Sequence, residues 1–228
     1  ENLAYFKRVL EDCGDVVFRE WRVGGDQGFD AALIFIEGMI DKTVINEEIL
    51  RPLMFELNQR EADKAGSKEE FYHFILKSAL SVSDVKEVEE YDTCVFYLMT
   101  GMVVFIIDKF SKAILIEAKG WEHRGVTQPE TETIIRGPRD GFSETLRVNT
   151  ALIRRRIRDP NLKIETIQIG RRTKTDIALL YMADIAHPKL LDTVKARLDD
   201  IDTDSILESG YIEQFIEDSW LSPFPQVQ

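Results

Sequence analysis

Two unbroken apolar runs, residues 31–36 and 102–107, set the first limit on what this chain can fold into. Each is strand length, well short of the roughly 18–20 apolar residues that a membrane-crossing helix needs. The first, bounded by Gly28 and Gly38, reads as a buried strand, which must be covered on both sides. The covering material has to come from amphipathic helices elsewhere in the 228 residues. That length, with 44% hydrophobic and 31% charged residues, suits one large domain or two small ones. The opening residues, Glu1-Asn2-Leu3-Ala4-Tyr5-Phe6, lack the basic start and long apolar stretch of a signal peptide and lead into a helix.

The remaining pattern supplies the cover. Leu3, Phe6 and Leu10 share one helical face. Residues 15–23 alternate, with Val17, Arg19 and Trp21 on one side, and predict a strand, followed by a glycine-rich turn at 24–28. Residues 45–55 read as a helix disrupted at Pro52. Ser67-Lys68-Glu69-Glu70 is a capping box opening a helix with Phe71, Phe74, Ile75 and Leu80 on its apolar face. Residues 88–99 predict another helix, ended by Gly101. The run 102–107 and residues 113–117 flank a polar turn and predict a β-hairpin.

Residues 120–131 are polar, with Gly125 and Pro129, and read as a linker between a subdomain 1–122 and a subdomain 132–228. In the second part, residues 143–158 predict a helix with Leu146, Thr150, Ile153 and Ile157 on one face, stopped at Asp159-Pro160-Asn161. Residues 162–169 and 175–183 predict strands joined by Gly170-Arg171-Arg172-Thr173-Lys174. Pro188 opens a helix with Leu191, Val194, Leu198 and Ile201 as its stripe, and Ile212, Phe215 and Ile216 mark a last helix. The fold class expected is α/β: two small subdomains, each a mixed β-sheet flanked by helices. Strand order is not readable.

Charge is uneven. The net charge is −12, yet residues 136–174 hold 11 Lys and Arg against 4 Asp and Glu, leaving −19 for the rest. Arg147, Arg154 and Arg158 fall on one helical face. Arg136, Arg139, Arg171 and Arg172 fall in turns, where guanidinium forks suit carboxylates or phosphates. Three readings stand: pairing within the protein or at an interface, a small anionic ligand, or nucleic acid. The acidic whole and the lack of aromatics among the arginines oppose nucleic acid. The candidate ligand or interface residues are therefore Arg136, Arg139, Arg147, Arg154, Arg171 and Arg172.

Other chemistry finds little support. There is no phosphate-cradling loop, no Gly-x-Ser-x-Gly elbow and no cofactor signature. His73, His123 and His187 lie far apart with no Cys nearby, against a zinc site. Asp200, Asp202 and Asp204 mimic the start of a calcium loop, but Ser205 stands where glycine is needed and Tyr211 where a bidentate Glu is needed. They read as a solvated helix end. Cys13 and Cys94 read as buried free thiols, which fits a reducing setting.

A series of strings in the second half carries a resemblance. They are Ile135-Arg136-Gly137-Pro138-Arg139-Asp140-Gly141-Phe142, Asn149 with Leu152-Ile153-Arg154-Arg155-Arg156-Ile157, Gly170-Arg171-Arg172-Thr173-Lys174-Thr175, Ser209-Gly210-Tyr211-Ile212-Glu213 and Ser222-Pro223-Phe224-Pro225-Gln226. In this order and spacing the chain resembles the A subunits of nutrient germinant receptors that trigger spore germination. The resemblance implies a soluble N-terminal domain of a membrane-embedded receptor, anchored through a segment absent from this chain. It implies the spore inner membrane, with this domain on the cytoplasmic, spore-core side. It also implies B and C subunits as partners, an A-subunit homo-oligomer forming a nutrient-gated ion channel, and a role in sensing, assembly and signal relay. No catalytic residue, metal or cofactor comes with it, and no nucleic acid. The alternative reading is a small-molecule binding module with a cleft between two lobes for an amino acid, sugar or anion. Under the resemblance, Arg136, Arg139, Arg154, Arg171 and Arg172 are expected to organise the junction of the subdomains.

Overall fold

The computed structural model describes residues 2–23, 29–56, 68–76, 85–120 and 141–217. The chain forms two compact units, Glu1–Pro160 and Asn161–Gln228.

The first unit is built on a five-stranded sheet of order β1-β2-β4-β5-β3, from β1 (Val16–Val23), β2 (Phe29–Ile36), β3 (Val85–Val88), β4 (Val103–Ile107) and β5 (Ala113–Ile116). The two apolar runs lie side by side as β2 and β4, in register from Ala31 opposite Ile107 to Ile34 opposite Val104. Both faces are covered. Ala31, Leu33 and Phe35 pack with Ile45, Ile49, Leu53, Tyr72 and Ile75 on one side. Ala32, Ile34 and Ile36 pack with Phe6, Leu10, Cys94, Leu98 and Met99 on the other. The first cover comes from two π-helical turns, Val44–Leu50 and Pro52–Glu56, and from α2 (Lys68–Phe74). The second comes from α1 (Asn2–Val9) and α3 (Tyr91–Met99).

The disruption expected at Pro52 is a break between those π-helical turns: the Arg51 amide bonds back five residues to Asn46, and proline has no amide to extend the series. Asp41 caps the first turn, its Oδ1 accepting from the amides of Thr43 (2.8 Å) and Val44 (3.4 Å). The glycine turn at 24–28, Ser67 of the capping box, Leu80 and the tail strings beyond Glu217 lie outside the described residues. Val88, expected to open a helix, ends the edge strand β3, and the helix starts at Tyr91. Four residues are too few for a period-2 signal to declare itself.

The last element of the first unit is α4 (Leu146–Arg156). The composition shift at 120–131 groups this helix with the second subdomain, whereas it belongs to the compact unit ending at Pro160. Its side chain Ala151 is part of the core that holds Phe6 and Met99. The face expected to be buried is also displaced. Thr150, Ala151, Leu152 and Arg154 are buried, while Ile157 is 40% exposed. Gly38 lets the helix come close: its φ is +86°, and a Cβ there would stand 3.0 Å from the Ala151 Cβ.

The second unit holds the hairpin β6 (Leu162–Ile169) and β7 (Thr175–Met182), with α5 (Pro188–Asp199) and α6 (Ser209–Ile216). The hairpin pairs from Leu162 opposite Met182 to Ile169 opposite Thr175. Pro188 sits at the helix start as expected, and His187 Nδ1 accepts from the Lys189 amide (3.2 Å). Its core is small: Ile169, Leu198 and Ile206, ringed by Ile167, Ile177, Val194, Ile212 and Ile216. The α/β class expected from sequence is what the chain builds. The sheets are not mixed, however: every described strand pair is antiparallel. Double-sided burial of a strand favours a parallel reading, but here helices cover both faces of an antiparallel sheet.

Candidate functional site

Six arginines are the candidates, and the structure gives the described ones very different surroundings. Arg136 and Arg139 lie outside the described residues.

Arg154 is wholly buried. Its Nε and Nη2 each donate to one oxygen of Asp15 at 2.9 Å, a two-pronged pair closed inside the first unit. Its Nη1 donates to the Asp159 carbonyl at 3.1 Å and lies 3.8 Å from the Met99 sulfur. One guanidinium therefore ties three pieces together: the start of β1, the end of α3, and the turn that stops α4. The Asp15 carbonyl in addition accepts from the Glu37 amide at 2.8 Å, fixing the far end of β2. In so dry a place the forked geometry is what makes two charges tolerable. Nearby, the buried Cys13 thiol points at the Pro160 carbonyl (3.8 Å).

Arg147, two turns earlier on the same face of α4, is half exposed and pairs with Glu37. Lys42 donates to the same Glu37 oxygen at 2.8 Å. A guanidinium and an ammonium thus share one carboxylate. Asp15 and Glu37 are the partners that sequence reasoning missed. An isolated Asp before a strand and a Glu before a glycine carry no local signal of what they meet.

Arg171 and Arg172 sit in the second unit, in the turn between β6 and β7. Arg171 pairs with Asp202, and Arg172 Nε lies 3.6 Å from an Asp204 oxygen. Both arginines are exposed. The turn is held chiefly by main chain: the amides of Arg171 and Arg172 donate to the carbonyls of Thr203 (2.9 Å) and Asp204 (3.0 Å). Thr175 Oγ1 donates to the Ile206 carbonyl at 2.8 Å. Gly170, at φ +95°, starts the turn where a Cβ would fall 2.5 Å from Thr173 Oγ1. Two carboxylates of the acidic run at 200–204 thus face arginines. No group of three or more His, Cys, Asp or Glu among the described residues could hold a metal.

The second unit has one further charged tie. Glu165 on β6 accepts from Tyr181 on β7 (2.5 Å) and Lys195 on α5 (2.7 Å). Burial pushes its carboxyl up, but the Lys195 and Tyr181 hydrogen bonds outweigh that and hold it below the ordinary range. Elsewhere, burial raises the Cys94 thiol to about 11. At neutral pH it is a core side chain with almost no thiolate; Cys13 is buried as well, and neither cysteine is in a disulfide.

All four described candidates therefore pair with carboxylates inside their own unit: Arg147 and Arg154 in the first, Arg171 and Arg172 in the second. The arrangement offers fixed geometry and surface charge.

The family model described as Bacillus/Clostridium GerA spore germination protein matches residues 4–228. The chain is 39% identical over its full length to the Uncharacterized membrane protein YfkQ of Bacillus subtilis, spanning 42% of that protein. It is 37% identical to Spore germination protein KA of the same organism, with 99% of this chain matched to 40% of the relative. It thus spans about two fifths of either relative. The crystal structure of the N-terminal domain of the A subunit of the Bacillus megaterium spore germinant receptor GerK3 superposes with a TM-score of 0.69. That match has 31% identity and covers 99% of this chain and 80% of the other. No helix among the described residues is long and apolar enough to cross a membrane. With the family model and full-length relatives in agreement, the chain belongs to the Bacillus/Clostridium GerA spore germination protein family.

Proposed function

We propose that this chain is the N-terminal domain of the A subunit of a nutrient germinant receptor, and that it works as a relay rather than as a catalyst. In this reading the rest of the subunit supplies the membrane-embedded part. The domain faces the cytoplasmic side of the spore inner membrane, and B and C subunits and further A subunits are its partners. A nutrient-driven shift passes through the domain to open an ion path.

The observation that supports it is the Asp15–Arg154 pair. It makes α4 and the turn at Asp159 part of one rigid body with the central sheet, right up to the point where the first unit ends. A relay needs stiff bodies that keep their shape while their relative position changes. Surface arginines such as Arg171 are then free to act on partners, because the backbone, not their guanidinium, holds their turn.

The test is charge reversal, Arg171→Glu, in the full-length receptor in spores. The expected result is loss of the nutrient response with receptor levels unchanged by immunoblot. A normal response at normal levels overturns the relay role of this turn.

A further inference from the structure

In the second unit β7 is bonded to β6 along one side only. The Ala183 amide donates to the Asn161 carbonyl at 2.8 Å. Antiparallel alternation from that pair turns the main chain of Asp176, Ala178 and Leu180 outward, away from β6. Among the described residues the outward amides and carbonyls of Ala178 and Leu180 have no hydrogen-bond partner. From Ile177 to Met182 every residue is half-buried. Residues 175–182 contain no proline, glycine or lysine, the residues that commonly guard an edge, and their one charge is Asp176. A ribbon of two strands with such an edge is a template for a further strand.

The strand that fits this edge is β7 itself. Antiparallel pairing about a twofold axis through Leu179 sets Leu179 opposite Leu179, Ile177 opposite Tyr181 and Asp176 opposite Met182. Ala178 and Leu180 then exchange main-chain bonds with Leu180 and Ala178 of the second copy. The same register carries Lys174, just before the strand, to Asp184 of the second copy, just after it, and the axis makes this contact twice. Both side chains are exposed, and neither is held in an ion pair or side-chain hydrogen bond among the described residues. Moving the axis one residue toward Met182 would set Asp176 against Asp184. Moving it one residue the other way would part Lys174 from Asp184 and set it against Met182.

We infer that β7 is a self-pairing edge: two copies of the chain join β7 to β7 in one antiparallel sheet, with Lys174–Asp184 ion pairs at both ends of the contact. The main chain provides the attachment, and the ion pairs fix the register. A few cross-strand pairs and two exposed ion pairs make a small contact, so the dimer is weak and reversible. It supplies a surface for the meeting of A subunits in the receptor reading, yet it rests on this strand alone. A chain that stays monomeric overturns it and leaves the relay role of the Arg171 turn untouched.

The twofold gives the test its signature. Sedimentation equilibrium of the 228-residue protein from micromolar to millimolar concentration is expected to show a monomer–dimer equilibrium. Its dissociation constant should be on the order of 0.1 mM. Lys174→Glu alone sets Glu against Asp184 twice, and Asp184→Lys alone sets Lys against Lys174 twice. Each should weaken the dimer about fivefold or more. An equimolar mixture of the two variants restores opposite charges at both ends, so it should dimerise as tightly as the parent. Exchange of the Ala178 and Leu180 amides should slow as protein concentration rises. A protein that stays monomeric overturns the proposal. So does a dimer that the single variants leave equally tight, or whose mixture stays as weak as they are, in proteins with native spectra. Association that leaves the exchange of those two amides unchanged overturns it as well.

Discussion

Arg154 in the first unit and Arg171 in the second carry the same side chain, and each is paired with an aspartate. Yet one is wholly buried and the other is two-thirds exposed. In the first unit the ion pair is structure: three segments meet on it, and water cannot take its place. In the second the main chain does the holding, and the ion pairs lie over the outside of a turn that already has its hydrogen bonds. Burial, not residue type, decides whether an arginine is a pin or an ornamentable surface charge. Desolvation makes a lone buried charge intolerable, while solvent screens an exposed one.

The sharpest way to break this contrast is to remove one half of the buried pair. Asp15→Ala or Arg154→Met alone is expected to cost about 3–5 kcal/mol in urea unfolding, since each leaves an uncompensated buried charge. The double variant should recover much of that loss. Single variants that unfold like the parent would show that the pair is not sealed.

A middle effect is expected from acid in the second unit. Glu165 has its folded pKa lowered, so its contribution is complete above the ordinary Glu value of about 4.3 and is lost as pH falls below it, through the folded pKa. Hydrogen exchange of β6 and β7 amides should therefore quicken as pH drops through this window, after correction for intrinsic rates. Lys195→Ala should flatten that dependence. An unchanged pH profile in the variant would mean that the Lys195 tie is not what depresses Glu165.

The smallest effect is reserved for the surface pairs. Arg171→Ala or Arg172→Ala should change stability by no more than about 1 kcal/mol, and less in high salt. A loss comparable to that of Arg154→Met would erase the difference between the units.

Much of the fold was legible because local patterns carry it. The run at 31–36 reads as a buried strand, and β2 is covered on both faces; the hairpin read over 102–107 and 113–117 is β4 paired with β5. The hairpin turn at Gly170, the helix start at Pro188 and the stop at Asp159-Pro160 all lie where turn and cap chemistry put them. The buried face of α4 was not legible. Periodicity counts arginine as polar, so Ile153 and Ile157 looked like the inner face, when the inner face runs through Ala151 and Arg154. Arg154 can be inside only because Asp15, 139 positions away, meets it there. The candidate list named Arg154 among equals for the same reason: nothing local separates it from Arg171.

The sequence alone therefore determined most of the strands and helices, the short edge strand β3 excepted, and that positive charge is concentrated between residues 136 and 174, since these depend on neighbours a few positions apart. The tertiary structure decided the antiparallel strand order, the placement of α4 in the first unit and the division of arginines into one pin and several surface charges. Each of those rests on partners brought together from distant parts of the chain, and burial exists only once they have met.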